Sequence, residues 1–236
     1  MLSRNFILLL FISTLFSQST MNGYGYGMFA NNSDAAALGS GSVGLLPSFK
    51  TGVSLSNPST WHKLPVTYLS TSFEGQNNEF SSNTSAHSGL ASAKLIIPAK
   101  QKLSFGLTFN PLFSREITIV DSTFSEFIFI NSDTLGYSRS NTTGGGSSMA
   151  QLAIGYKLTD TDDIGVGLDV VFGSSRSTQN LIIDSDNHLL QSRDYFSGSL
   201  LELYYTTSRF SFNENPLILS LNYNFSINDI DVENES

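Results

Sequence analysis

The 236-residue chain has no cysteine and few charges, and after residue 19 no stretch approaches the ~20 apolar residues of a membrane helix. The lack of cysteine excludes disulfides, thiolate zinc sites and cysteine nucleophiles. Only 14% of residues are charged, against about 25% in ordinary soluble domains. The net charge of −8 argues against binding to nucleic-acid phosphates. Serine, asparagine, threonine and glycine take the place of the missing charges.

The first 19 residues have the layout of a secretory signal peptide. Arg4 gives a positive start, an apolar run of 11 residues follows from Phe6 to Phe16, and small residues come next at Ser17 and Ser19. The run is too short to cross a bilayer of about 30 Å as a helix. We therefore predict export with cleavage of residues 1–19, in preference to a buried N-terminal helix.

Alternation of apolar with polar or small residues is the strongest later pattern. It runs through residues 102–110 (KLSFGLTFN), 149–158, 163–173 (DIGVGLDVVFG) and 217–227. Successive side chains of a strand point to opposite faces, so each segment has one apolar face and one polar face. Runs of about nine to eleven residues match the length of a tilted strand that crosses a membrane.

Short and long polar links alternate between these segments. The short links are residues 98–101, 159–163 and 213–216, and the long ones are residues 74–88, 111–148 and 174–196. Outer-membrane barrels join their strands by tight periplasmic turns and longer external loops. The fold class predicted is therefore all-β, an antiparallel up-and-down transmembrane β-barrel. The predicted up-strands are 66–73, 102–112, 164–174 and 217–227, and the down-strands are 90–97, 149–158 and 197–207.

The predicted domain organisation has three parts after the signal peptide. Residues 20–62 form a glycine-rich, hatch-like N-terminal segment, residues 63–227 carry the barrel strands, and residues 228–236 are an acidic tail. Two short runs, 116–120 and 127–130, are predicted to pair as a hairpin within an external loop. The last strand runs upward, whereas closed single-chain barrels have an even strand count. The alternatives are a miscount by one and an incomplete barrel, and the second is favoured because open edges are costly in lipid.

Part of the hatch-like segment resembles a known family. The stretch DAAALGSGSVG (residues 34–44) resembles the lead-in of the outer-membrane long-chain fatty-acid transporter family (FadL-like) and of the related PorV/PorQ group. SNPSTW (residues 56–61) is similar to the Asn-Pro-Ala signature that follows in both, with Ser59 in place of alanine. The resemblance implies a hatch folded inside a barrel, with Asn57 and Pro58 as gating residues. It also implies passive movement of hydrophobic compounds without covalent chemistry.

Three charged residues fall on the polar faces of the predicted strands: Lys157, Asp169 and Glu202. A charge that faces lipid at mid-depth costs about 2–4 kcal/mol, whereas a charge in a wet lumen costs little. We therefore predict that all three face the lumen.

No catalytic or metal-binding set is predicted. His62, His87 and His188 are far apart and lack the spacing of metal ligands. His62 could line the hatch, but it is interpreted as a bystander at the start of a strand. The acidic runs 160–163 and 184–187 lack the glycine and distal glutamate of a calcium loop and are interpreted as solvated turns. There is no Gly-x-Ser-x-Gly motif. We predict no enzyme activity, no metal and no cofactor.

The leading hypothesis is a protein of the bacterial outer membrane that passively transports small hydrophobic compounds such as long-chain fatty acids. Its expected partners are outer-membrane lipid and hydrophobic small molecules, and other outer-membrane or secreted proteins are also considered. One alternative is a PorV-like component that secretes or attaches surface proteins. Another is a soluble secreted β-sandwich or lipocalin-like binder.

Overall fold

A computed structural model describes residues 28–29, 52–80, 83–100, 102–115, 117–130, 133–183, 186–212 and 215–235. The predicted signal peptide lies outside these residues, as does most of the predicted hatch before residue 52. The strands are β1 (Met28–Phe29), β2 (Tyr68–Phe80), β3 (Asn83–Ala99), β4 (Leu103–Ser114), β5 (Ile117–Ile130), β6 (Asp133–Lys157), β7 (Asp162–Ile183), β8 (Asp186–Phe212) and β9 (Asn215–Glu235). One 3₁₀ helix, Pro58–Lys63, precedes β2.

All nine strands belong to one antiparallel sheet, which confirms the predicted all-β antiparallel fold. The order along the sheet is β2-β3-β4-β6-β7-β8-β9. β5 continues the line of β4 and pairs with the first half of β6, while β1 pairs with the end of β4. Within the described residues the sheet does not close, because β2 pairs only with β3 and β9 only with β8.

The long polar links are strands rather than loops. Residues of all three predicted external loops lie in paired strands, so that β6, β7 and β8 reach 25, 22 and 27 residues. These extensions are rich in serine, threonine and asparagine on both faces, so they carry no period-two signal. Pairing satisfies their backbone groups all the same. Similarly, the predicted acidic tail from residue 228 continues β9 as far as Glu235.

The predicted hairpin between residues 116–120 and 127–130 is wrong. Every described residue of the two runs lies on the single strand β5, which pairs with β6 from Ile117 opposite Thr143 to Ile130 opposite Asp133. Both runs are apolar and short, and the residues between them provide only a register shift in β5, not a turn. Residue periodicity cannot distinguish a bulge from a hairpin loop of similar length.

Burial follows the predicted alternation with the apolar residues outside. Along β7, Leu168 is 44% exposed, whereas its neighbour Asp169 is 0% exposed. We call the side with Leu152, Leu168 and Leu221 the apolar face, and the side with Gln151 and Asp169 the polar face. Among the described residues, 29 large hydrophobic residues are exposed and only eight hydrophobic residues are buried. A soluble sandwich or lipocalin-type fold would bury the apolar face instead.

Candidate functional site

Residues 52–64 lie against the polar face of the sheet, and we call them the buried segment. Their contacts reach β3, β4, β6, β7 and β8. Asn57 caps the 3₁₀ helix, and its Oδ1 accepts hydrogen bonds from Ser59 N (3.2 Å) and Ser59 Oγ (2.7 Å). Pro58 takes the first helical position, where its fixed φ suits a helix start and no backbone donor is lost. The asparagine–proline pair therefore fixes where the helix begins.

Three glycines on the polar face let the buried segment approach the sheet backbone. A Cβ on Gly106 of β4 would lie within 3.0 Å of the Trp61 ring. A Cβ on Gly155 of β6 would meet the Pro58 carbonyl oxygen, and one on Gly165 of β7 would come within 2.7 Å of Ser59 N. Only a residue without a side chain permits this close approach. These glycines form a floor across neighbouring strands for the buried segment.

Hydroxyl and amide groups join the buried segment to the far strands. Asn57 Nδ2 donates to Thr206 Oγ1 of β8 at 3.0 Å, and Ser59 Oγ lies 2.8 Å from the same atom. Thr206 Oγ1 is also 3.0 Å from Ser220 Oγ of β9. Both predicted gating residues are buried, and Asn57 is the one that makes hydrogen bonds to the sheet. Their gating role stays a prediction.

Trp61 is the centre of the small apolar core between the buried segment and the sheet. It is 0% exposed and clusters with Val53, Leu55, Ile96 and Ala153. Its indole Nε1 donates to the Leu55 carbonyl oxygen at 3.2 Å, so the ring is fixed in depth and orientation. Because Trp61 is the only tryptophan of the chain, its fluorescence reports the seating of this segment alone.

His62 and Lys63 bind the acidic start of β7. His62 Nε2 lies 3.3 Å from Asp163 Oδ1, and Lys63 Nζ lies 2.6 Å from Asp163 Oδ2. Burial of the imidazole lowers the pKa of His62, and the Asp163 carboxylate only partly opposes this effect. The interpretation of His62 as a bystander is therefore wrong: it is buried and touches both Ser59 and Asp163. The contact spans a hundred residues of sequence, so residue spacing could not predict it.

Asp162 organises the turn between β6 and β7. It accepts hydrogen bonds from Thr159 Oγ1, Tyr205 OH (2.8 Å) and Thr207 Oγ1 (2.9 Å), and it pairs with Arg209. These donors, Thr159 foremost, hold the pKa of Asp162 well below its usual value. The interpretation of residues 160–163 as a solvated turn holds for Asp160, whereas Asp162 and Asp163 are buried.

The three charged residues predicted to face a lumen occupy two places on the polar face. Glu202 Oε2 accepts from Gln151 Nε2 at 2.8 Å and from the Tyr204 hydroxyl. Neither oxygen of buried Asp169 accepts a hydrogen bond of normal geometry from the described residues. Lys157 lies apart from them at the end of β6, where its Nζ is 2.8 Å from Asp160 Oδ1. That these charges line a lumen stays a prediction.

A cavity of ≈ 630 Å³ opens beside the end of the buried segment. Its lining combines the cationic groups of Lys63, Lys100 and Lys157 with Asp160 and Asp163. Within the described part of the chain, no three histidine or acidic side chains are grouped so that they could hold a metal ion. In the same part, no helix has the length and apolar character needed to cross a membrane.

The sequence reasoning missed the glycine floor and Thr206, and it interpreted the buried Asp163 as part of a solvated turn. The glycines stand on the polar faces of the alternating segments, so the repeated absence of a side chain there was a usable signal. Comparisons with protein-family models, with curated proteins and with solved structures found no match. The case for a function therefore depends on the geometry of the sheet and of the buried segment.

Proposed function

We propose that this chain is an outer-membrane β-barrel protein that lets small hydrophobic compounds, such as long-chain fatty acids, pass without energy input. The observation that carries the proposal is the reversed burial: the face with leucine, valine and phenylalanine is exposed, and the face with aspartate, glutamine and serine is covered. Exposed apolar surface on this scale is typical of contact with a membrane or a partner. The alternation of apolar and polar side chains along each strand is typical of membrane barrels, in which one face of the strand contacts lipid and the other faces the interior.

The buried segment supports a role in passage. It covers the polar face but is held there by a few hydrogen bonds and one ion-pair cluster over a glycine floor, with only a small apolar core. A segment seated in this way can shift without remodelling the strands beneath it. Asn57 and Pro58 define its helix start, so they are the residues at which we propose that gating begins.

The test is uptake by vesicles that contain the full-length chain. Proteoliposomes that enclose a fluorescent fatty-acid sensor are expected to fill with palmitate faster than protein-free vesicles, and Asn57→Ala is expected to change that rate. Glucose efflux from the same vesicles serves as the control for a nonspecific leak. Palmitate entry equal to that of empty vesicles would refute the transport proposal.

A second candidate is the secretion or attachment of surface proteins. It is favoured by the extended hairpins, because β6, β7 and β8 are at least twice as long as the ~9–11 residues that cross a membrane. The paired extensions provide a rigid surface for a protein partner. If deletion of the gene releases surface proteins into the medium and leaves palmitate uptake unchanged, that result would favour this candidate over transport.

A further inference from the structure

Two arginines stand directly opposite each other on the hairpin of β7 and β8. The register pairs Arg176 with Arg193, with no shift along either strand. Like charges in this position repel each other and destabilise a strand pair. Among the described residues neither arginine forms an ion pair. Such a pair is stabilised when an anion lies between the two guanidinium groups.

Both arginines lie on the same face as the exposed leucine and valine side chains, further along the strands towards the turn between β7 and β8. Along β7 the exposed side chains are Val166, Leu168, Val170 and Phe172, and Arg176 is the second outward position after Phe172. Ser175 between them is buried, so the alternation continues through this part of the strand. Four residues of strand add about 13 Å, or about 10 Å along the membrane normal at the usual tilt. This height corresponds to the headgroup region of a bilayer.

The surroundings of the arginines suit a phosphate group. A cavity of ≈ 380 Å³ is lined by Thr142, Gly144, Ser174, Arg176, Thr178 and Arg193. It combines two guanidinium groups with three hydroxyl groups, and guanidinium forks bind phosphate through paired charge-assisted hydrogen bonds.

Tyr195 holds one of the two guanidinium groups in place. Arg193 Nη1 donates to the Tyr195 hydroxyl at 3.1 Å, and its guanidinium carbon lies 5.4 Å from the centre of the Tyr195 ring. Arg193 Nε is buried and has no hydrogen-bond partner in the described chain. The Tyr195 contact uses only one of the five N–H donors of this guanidinium, so donors remain for a ligand. Glu235 of β9 is the register partner of Arg193 on its other side, so Glu235→Gln is included as a control.

We propose that Arg176 and Arg193 bind the phosphate group of an anionic lipid at the outward face of the β7–β8 hairpin. The proposal rests on the membrane embedding put forward under the proposed function. It adds a specific lipid contact at one height on the sheet, which fixes the depth at which the hairpin leaves the bilayer.

Native mass spectrometry of the full-length protein in detergent micelles tests this site. The probes are dimyristoyl phosphatidic acid and dimyristoylglycerol, which have the same acyl chains and differ in the phosphate. Wild type is expected to retain the phosphatidic acid preferentially. The double variant Arg176→Gln, Arg193→Gln is expected to bind it at least about tenfold more weakly, because two charge-assisted contacts are lost.

Arg139→Gln is the control, since Arg139 lies on the polar side of β6, where its register partner Leu181 is five residues beyond Arg176 on β7, and its loss removes one positive charge. It is expected to bind as wild type does, and Glu235→Gln is expected to bind at least as tightly. Equal binding by wild type and the double arginine variant would overturn the proposal. Displacement of the lipid by an equal concentration of inorganic phosphate would overturn it as well, because the ligand would then be free phosphate.

A urea wash of proteoliposomes made from the same samples separates the two proposals. Release of wild-type protein from the vesicles would refute the membrane embedding itself. Retention of wild type in the vesicles, together with unchanged lipid binding by the double variant, would refute only the phosphate site.

Discussion

Replacement of Gly155 by alanine is predicted to lift the buried segment off the sheet. The new Cβ would lie within 3.0 Å of the carbonyl oxygen of Pro58 and of the Ser104 hydroxyl, closer than Cβ atoms come to other heavy atoms in proteins. The Pro58 oxygen belongs to the backbone of the 3₁₀ helix, so a side-chain rotation cannot relieve the clash. Overpacking of this kind costs about 1–3 kcal/mol. The ratio of seated to displaced segment is therefore expected to fall by about 5-fold to about 150-fold.

The assay is acrylamide quenching of Trp61 in the folded, detergent-solubilised protein. Trp61 is fully buried in the seated state, so wild-type fluorescence is expected to be blue-shifted and poorly quenched. Gly155→Ala is expected to give red-shifted emission and faster quenching, while the β-sheet signal in circular dichroism stays unchanged.

Gly167→Ala is the matched control. It is also a glycine of the polar face, but its new Cβ would meet only the end of the Gln151 side chain, which can move away. Both substitutions lower the entropy of the unfolded chain to a similar extent, so that effect cancels in the comparison. Identical quenching of Trp61 in the two variants would refute the account of the glycine floor.

Three further predictions concern the polar contacts of the buried segment and of the neighbouring turn. Asn57→Ala is expected to lower the free energy of unfolding in urea titrations by about 1–3 kcal/mol, because it removes the helix cap and leaves Thr206 and Ser59 short of partners. An unchanged free energy of unfolding would contradict the role of Asn57 as the cap. Folding lowers the pKa of Asp162 from its ordinary 3.8, so the stabilisation that its carboxylate provides is complete above that pH and declines below it. Asp162→Asn is therefore expected to lower the melting temperature at pH 7 and to differ less from wild type as the pH falls below about 4. A difference in melting temperature that does not change with pH would contradict this. Burial lowers the pKa of His62 below its ordinary 6.5, so protonation of the imidazole below that pH opposes seating of the buried segment. Quenching of Trp61 is expected to rise in wild type as the pH falls below 6.5 and to change less in His62→Gln. Identical pH profiles for the two proteins would argue against a role for His62.

The strands and their two faces could be predicted from the sequence because period two is a local property of each segment. In residues 102–110 and 163–173 apolar residues alternate with polar or small ones, and the structure exposes Leu107 and Leu168 while it buries Thr108 and Asp169. The hairpin extensions could not be predicted in the same way. Where both faces meet a polar environment, as in residues 174–183, no alternation remains to mark a strand.

The site could be predicted only in part. Asn57 and Pro58 were singled out by the resemblance of SNPSTW to the Asn-Pro-Ala signature, and the structure shows them as the cap and the first residue of the 3₁₀ helix. The contacts that seat the segment join distant positions, such as His62 with Asp163 and Asn57 with Thr206, and no spacing rule connects them. The glycines carried a signal, since Gly106, Gly155 and Gly165 stand on the polar sides of three different segments. Their shared role, close contact with the 3₁₀ helix, depends on the strand register, which places them on neighbouring strands beneath that helix.

The measurement that tests the central claim most directly is spin-label accessibility along β7 in lipid bilayers. The chain has no cysteine, so single cysteines introduced at Val166, Gly167, Leu168, Asp169 and Val170 can each be labelled without background. If the apolar face contacts lipid, oxygen accessibility will peak at 166, 168 and 170 and fall at 167 and 169, while a water-soluble nickel reagent will not reach the peak positions. High nickel accessibility at 166, 168 and 170, or low oxygen accessibility there, would contradict the claim that lipid covers this face.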